Sequence, residues 1–219
     1  MKSNILFVRG FNTKFTDTFD GYASIKNVYP HMTYFDYSPD EDLLTVYKRL
    51  EREIKKGKYT HLIGHSMGGG LLMRYIYDHK VSRSVKIILL MPLIYKTPIN
   101  KIIASFPFAS NIRSPKGLVI PNNSLYDQGF FVNDTFELLP LSQVVTMYNN
   151  IMLEPKQFVD KLNSCSNCVV FYAVKEAFNT IPNSVLSKIN NVEQIDGLHE
   201  CFNSVGTSSP FFKKLAKYI

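Results

Sequence analysis

Tyr59-Thr60-His61-Leu62-Ile63-Gly64-His65-Ser66-Met67-Gly68-Gly69-Gly70 is the stretch that decides the fold. An apolar run, Tyr59–Ile63, passes into a serine flanked by glycines. Leu71, Leu72, Tyr75, Ile76 and His79 then recur at helical spacing. This order reads as a buried strand turning sharply into a helix. Gly64 and Gly68 leave no side chains to block the close approach of the two elements. The serine hydroxyl then projects at the helix N-terminus, beside backbone N–H groups able to stabilise an anion. The bare spacing G-x-S-x-G arises by chance in roughly 7 of 100 chains of this length at average Gly and Ser usage. The strand-to-helix context therefore carries the argument. A phosphate-cradling Walker loop would need a lysine after the glycines, and none follows.

Outward from this point the same alternation repeats. Short apolar runs stand at Ile5–Val8, Met32–Tyr37, Val85–Met91, Cys168–Val174 and Val192–Ile195. Most are continuously apolar, as strands buried on both faces of a parallel sheet are. Between the second run and Tyr59, Ser38-Pro39-Asp40-Glu41 predicts a helix start, with Ser38 as cap and Pro39 at the first helical position. Leu43, Val46, Tyr47, Leu50 and Ile54 line one face of that helix, and Gly57 stops it. The alternation breaks from Pro92 to about Asn163, a stretch rich in Pro, Asn and Phe. Two helices are expected at its end, around Gln143–Met152 and Pro155–Leu162. A connection of this length predicts an inserted cap or lid. The expected architecture is α/β: a mostly parallel sheet of about six strands with helices on both faces, one domain over 1–219, and a cap over about 92–163.

Composition narrows the function classes. Of the 219 residues 45% are hydrophobic and 20% charged, which allows a full core and excludes wholesale disorder. No apolar run approaches the ~18–20 residues of a membrane span, so integral membrane contact is not expected. Ile5–Val8 is too short for the core of a signal peptide. Three cysteines form no disulfide framework and point to a reducing, cytoplasmic setting. The net charge of +7 comes mostly from lysines spread along the chain. Its densest stretch, Lys48–Lys58, interleaves Glu51 and Glu53 as a solvated helix face does. No nucleic-acid-binding motif accompanies it, and no nucleic-acid partner is expected. Cys165-Ser166-Asn167-Cys168 is a CxxC that closes a helix and enters a strand, unlike a redox motif opening a helix. Cys201 has no second CxxC with which to build a zinc site, so structural thiols and no metal are expected.

A serine nucleophile needs a base held by a third group. Among five histidines, His65 adjoins Ser66 and cannot fold back onto it. His61 lies within the strand, His79 ends the following helix and His31 precedes the second strand. His199 alone follows the last strand, in Ile195-Asp196-Gly197-Leu198-His199, at the sheet edge where sites of such folds gather. Glu176, just after Cys168–Val174, is the candidate acid. Asp196 is its rival, although it stands only three residues before the histidine. The first strand ends in Val8-Arg9-Gly10-Phe11, a turn able to aim the Phe11 N–H where the Met67 N–H also points. Together they would form an oxyanion hole, each donor worth about 3 kcal/mol of transition-state stabilisation.

These residues together resemble the α/β-hydrolase family, and Gly64-His65-Ser66-Met67-Gly68-Gly69 resembles its lipase, esterase and monoacylglycerol-lipase-like branch. The likeness in strand–helix order extends over nearly the whole chain. The specific motif covers only Gly64–Gly70. It implies Ser66 as nucleophile, His199 as general base and then acid, Glu176 as the triad acid, and Phe11 and Met67 as oxyanion donors. Gly10 and His65 are expected to line the substrate site. The implied reaction is hydrolysis of a carboxylic ester without a cofactor. The substrate would be a small molecule with an apolar acyl group, held against Phe106, Phe108, Phe130 and Phe131 of the cap. A thioesterase or peptidase would use the same triad, and a ligand-binding member without turnover would keep the same pocket. Two departures stand out. Arg9 replaces the histidine usual before the oxyanion glycine, and the chain begins at the family's third strand.

Overall fold

The computed structural model describes residues 3–10, 22–38, 41–93, 96, 145–175, 181–197 and 209–219. Six parallel strands form one sheet: β1 (Ile5–Val8), β2 (Thr33–Phe35), β3 (His61–His65), β4 (Lys86–Leu90), β5 (Cys168–Ala173) and β6 (Val192–Ile195). Their order is β2-β1-β3-β4-β5-β6. Every strand falls on one of the six apolar runs, because a strand buried on both faces has no polar position to interrupt it. Apart from Lys86, exposed at the start of β4, the two edge strands hold the exposed positions. Thr33 of β2 and Gln194 of β6 are exposed, as edge position allows.

Alternate residues of each strand feed two cores. Leu6, Val8, Leu62, Ile87, Leu89 and Val170 pack on one face, with α2 (Leu43–Lys56) and α3 (Met67–Asp78). Ile5, Phe7, Ile63, Ile88, Leu90 and Phe171 pack on the other, with α1 (Ala23–Val28). Period-two side-chain alternation makes one apolar run serve both faces.

The α2 apolar face is the expected one: Leu43, Val46, Tyr47 and Leu50 are buried. Its start is not. The helix begins at Leu43, and the cap is Asp42, whose carboxylate accepts the Thr45 N–H at 2.9 Å. Ser38 lies four residues too early; its carbonyl instead accepts the Glu41 N–H at 3.0 Å, closing a turn. Asp42 is placed to reach the donor three residues on, which is the geometry that satisfies a helix's first N–H groups.

Between β4 and β5, residues 97–144 lie outside the described residues, and with them Phe106, Phe108, Phe130 and Phe131. The chain from 145 to β5 packs into the main body. A π-helical turn, Met147–Ile151, buries Met147 and Ile151. The helix α4 (Pro155–Asn163) then buries Phe158 and Leu162 in the core that α3 shares. Two short helices, α5 (Asn183–Leu186) and α6 (Pro210–Leu215), complete the described elements. α6 packs Phe211, Phe212 and Leu215 onto the α1 face of the sheet. Among the described residues no helix is long and apolar enough to cross a membrane.

Candidate active site

β1 sends its connection to β2 on one side and pairs with β3 on the other, so the strand order reverses between β1 and β3. Ligand sites of open parallel sheets form at the carboxyl edge of such a reversal. Ser66 stands there, directly after β3, and Gly10 stands beside it, two residues after β1.

Ser66 has φ 51° and ψ −116°, a backbone conformation that glycine adopts readily and other residues rarely do. Its own backbone holds it there. The Ser66 N–H donates to the Leu90 carbonyl at 2.9 Å, and its carbonyl accepts from Gly70 N–H at 3.1 Å and Leu93 N–H at 2.9 Å. The side chain makes no capping bond to α3. Met67 opens α3, so its N–H has no carbonyl within the helix to bond.

The glycines around the serine are required by contact. A Cβ on Gly64 would come within 2.5 Å of the Gly68 carbonyl oxygen. One on Gly68 would lie 2.1 Å from the Val8 carbonyl oxygen. The first packs α3 against its own strand, and the second packs α3 against β1. That second contact brings the turn after β1 alongside Ser66: a Cβ on Gly10 would sit 3.2 Å from the Ser66 Cβ.

The turn is fixed by buried polar groups. Gly10 N–H donates to the Tyr22 hydroxyl at 2.7 Å, and the same oxygen lies 2.8 Å from Nδ1 of His65. Tyr22 is 1% and His65 2% exposed. The Tyr22 ring packs edge-on against both Phe7 and His65. Arg9 is also buried. Its guanidinium donates to the Asp36 carboxylate and the Tyr37 carbonyl, and lies 4.6 Å from the centre of the Tyr37 ring. The Tyr37 hydroxyl in turn donates to the Arg9 carbonyl at 3.2 Å. Burial pushes the Tyr37 phenol up, partly offset by the Arg9 charge, so it stays protonated as a donor. Arg9 thus braces the turn through β2, its charge paired with Asp36.

The structure brings Ser66, Met67, Gly10 and His65 together at this edge; His65 is enclosed beneath the serine, within the bracing network. Phe11, Glu176 and His199 lie outside the described residues. The segments leading to the last two are described. Lys175 N–H donates to the Gly197 carbonyl at 3.0 Å, continuing the pairing of β5 with β6. Glu176 comes one residue after this bond and His199 two residues after it. Asp196 turns outward: its side chain is 84% exposed and pairs with Lys175 at 3.3 Å.

Tyr22 had no signal in the sequence. A lone tyrosine before a short helix is indistinguishable from core until its hydroxyl is seen between two partners from other elements. Among the described residues, no group of three or more His, Cys, Asp or Glu side chains is placed to hold a metal ion.

No family model and no curated protein matches the sequence. Solved structures do match in shape. The monoacylglycerol lipase of Paleococcus ferrophilus superposes with a TM-score of 0.66 at 12% identity, over 98% of this chain and 92% of the lipase. A lipase-esterase related protein from Clostridium acetobutylicum gives 0.63 at 13%, over 99% and 94%. The esterase EaEST from Exiguobacterium antarcticum gives 0.59 at 15%, over 99% and 91%. The chain has the α/β-hydrolase fold.

Proposed function

We propose that this α/β-hydrolase-fold chain is a serine hydrolase that cleaves a carboxylic ester through an acyl-enzyme on Ser66. The observation that carries the reading is the Ser66 backbone, φ 51° and ψ −116°. A serine in a conformation suited to glycine costs about 1–3 kcal/mol, and the fold retains it at a strand–helix junction on the ligand-binding edge. In this reading the strained turn presents the hydroxyl to a substrate carbonyl carbon.

In this reading His199 takes the Ser66 proton as the hydroxyl attacks, and the tetrahedral oxyanion lies between the N–H groups of Phe11 and Met67. His199 then returns the proton to the leaving alcohol, and water cleaves the acyl-enzyme by the reverse sequence. Glu176 is the acid. The Lys175–Gly197 hydrogen bond starts the chain toward Glu176 and His199 from adjacent positions, while Asp196 is spent on Lys175 in solvent. The residues between β4 and β5 would supply the cap, and its phenylalanines the apolar acyl pocket. The setting would be cytoplasmic, and no cofactor takes part in this chemistry.

A fluorophosphonate probe read by intact mass tests the assignment. One adduct is expected on the wild type and none on Ser66→Ala. With an ester panel, His199→Ala should lower turnover by several orders of magnitude with the fold intact. Glu176→Gln should show a large loss that Asp196→Asn does not. A folded wild type that takes up no probe would leave a ligand-binding protein without turnover.

A further inference from the structure

The sequence reads Cys165 and Cys168 as structural thiols, and their surroundings point to a further role. They lie at the amino edge of the sheet, where α4 has ended at Asn163 and β5 begins at Cys168, the edge opposite Ser66. The Cys168 N–H donates to the Cys165 carbonyl at 3.0 Å, closing a tight turn. Such a turn holds its end residues within the Cα separation that a disulfide spans. The Cys165 thiol donates to the Asn167 side-chain oxygen at 3.3 Å, and the Cys168 thiol lies close enough to influence its charge. Their environments differ: Cys165 is part-exposed, and Cys168 is buried at 3% exposure. Cys165 also opens onto a cavity of about 210 Å³ whose wall carries Lys80, Arg83, Lys161 and His79. His79 is paired with Glu51, so the net positive charge of that wall comes from the two lysines and the arginine.

We propose that Cys165 and Cys168 are a thiol–disulfide exchange site, and that the cavity accepts a small disulfide bearing carboxylates. Cys165 is the attacking sulfur and Cys168 the resolving one. The hydrogen bond from Cys168 brings the Cys165 thiol down to about 7, with a smaller contribution from the Lys161 charge and against the effect of burial. Cys168 is pushed well up by the same bond and by its burial. At neutral pH a large share of the part-exposed Cys165 sulfur is therefore thiolate, while Cys168 stays a thiol.

The exchange balances. The Cys165 thiolate attacks one sulfur of the small disulfide; the new bond is Cys165 S–S–R, and R–S⁻ leaves. Cys168 gives its proton to solvent and attacks the Cys165 sulfur, expelling the second R–S⁻. The dithiol loses two electrons, the small disulfide gains them, and both leaving thiolates are free to take protons. Nothing in this step involves Ser66, so the site stands or falls apart from the hydrolase reading.

The probe is oxidised glutathione on the whole chain, quenched in acid, alkylated and mapped by peptide mass. The wild type should accumulate a Cys165–Cys168 disulfide. Cys168→Ser should stop at a mixed disulfide on Cys165, and Cys165→Ser should form none on Cys168 in the same time. Lys80→Glu with Arg83→Glu should slow the reaction about tenfold. The same variant should leave the rate with neutral 2-hydroxyethyl disulfide within about twofold. Two free thiols in the wild type after exposure, or first attack at Cys168, would overturn the pair. Equal slowing with both disulfides would overturn the carboxylate-binding role of the cavity.

Discussion

The two edges of the sheet are built differently. At the carboxyl edge the chain is held in conformations it would not choose. Ser66 and Met91, with φ 51° and 40°, are the non-glycine residues with positive φ among those described, and both stand there. Beneath them a buried arginine and a buried Tyr22–His65 pair take up polar backbone groups. At the amino edge no described non-glycine residue has positive φ, and some polar side chains reach water. Asn4, for example, bonds the Lys58 carbonyl and the Thr60 side chain at exposed positions. The strained edge is the one able to fix a group within a fraction of an ångström, since such positioning requires that nothing nearby can relax.

The largest test of this contrast compares two glycines with equal apparent crowding. A Cβ on Gly68 would lie 2.1 Å from the Val8 carbonyl oxygen, and one on Gly57 would lie 2.0 Å from the Tyr59 ring. The first obstacle is backbone of the central sheet, and the second is a single side chain. Gly68→Ala is expected to cost about 3 kcal/mol or more in urea unfolding, and Gly57→Ala under about 1 kcal/mol. Equal losses would mean that the amino edge is as rigid as the other.

Next is Tyr22→Phe, which strands the buried Gly10 N–H and His65 Nδ1. A stability loss of about 1–3 kcal/mol is expected. The rate of fluorophosphonate labelling should fall about tenfold with it, because the Gly10 backbone beside Ser66 loosens. Tyr59→Phe at the amino edge, where the hydroxyl bonds a part-buried Glu53, should cost under about 1 kcal/mol. Unchanged labelling in folded Tyr22→Phe would separate the hydroxyl from the site.

A smaller effect isolates the strain itself. Ser66→Gly and Ser66→Ala both remove the hydroxyl, but glycine accepts φ 51° and alanine does not. The glycine variant should be the more stable by about 1 kcal/mol, read as a higher Tm. Equal stabilities would show that the elbow stores no strain.

The smallest effect belongs to His61 at the start of β3, whose imidazole burial holds below the ordinary 6.5. The folded state therefore binds its proton less readily than the unfolded chain. Stability should fall as pH drops through the unfolded value near 6.5 and level off below the folded one. His61→Gln should flatten that part of the stability curve, and an unchanged curve would assign the slope to other groups.

Legibility followed the range of the interactions. β1 and β6 match the apolar runs at Ile5–Val8 and Val192–Ile195 to the residue, because alternation and burial leave a local record. The α2 cap is Asp42 and not Ser38 because two capping signals stand close together, and choosing between them depends on where β2 delivers the chain. The role proposed for Cys165 and Cys168 has no local record for a related reason. A four-residue motif carries no trace of Lys80 and Arg83, which reach the same cavity from beyond α3.

The sequence by itself determined the kind and order of the elements and the strand–serine–helix junction at Gly64–Gly68. These rest on periodicity and on the absence of a Cβ, both properties of neighbouring residues. Only the tertiary structure decided the strand order, the Tyr22 hydroxyl between Gly10 and His65, and the pairing of Arg9 with Asp36. Those contacts join residues 12 to 43 positions apart, and which of many buried polar groups meet is settled by packing. No local pattern encodes it, because the cost of leaving each group unpaired appears only once the core has closed around it.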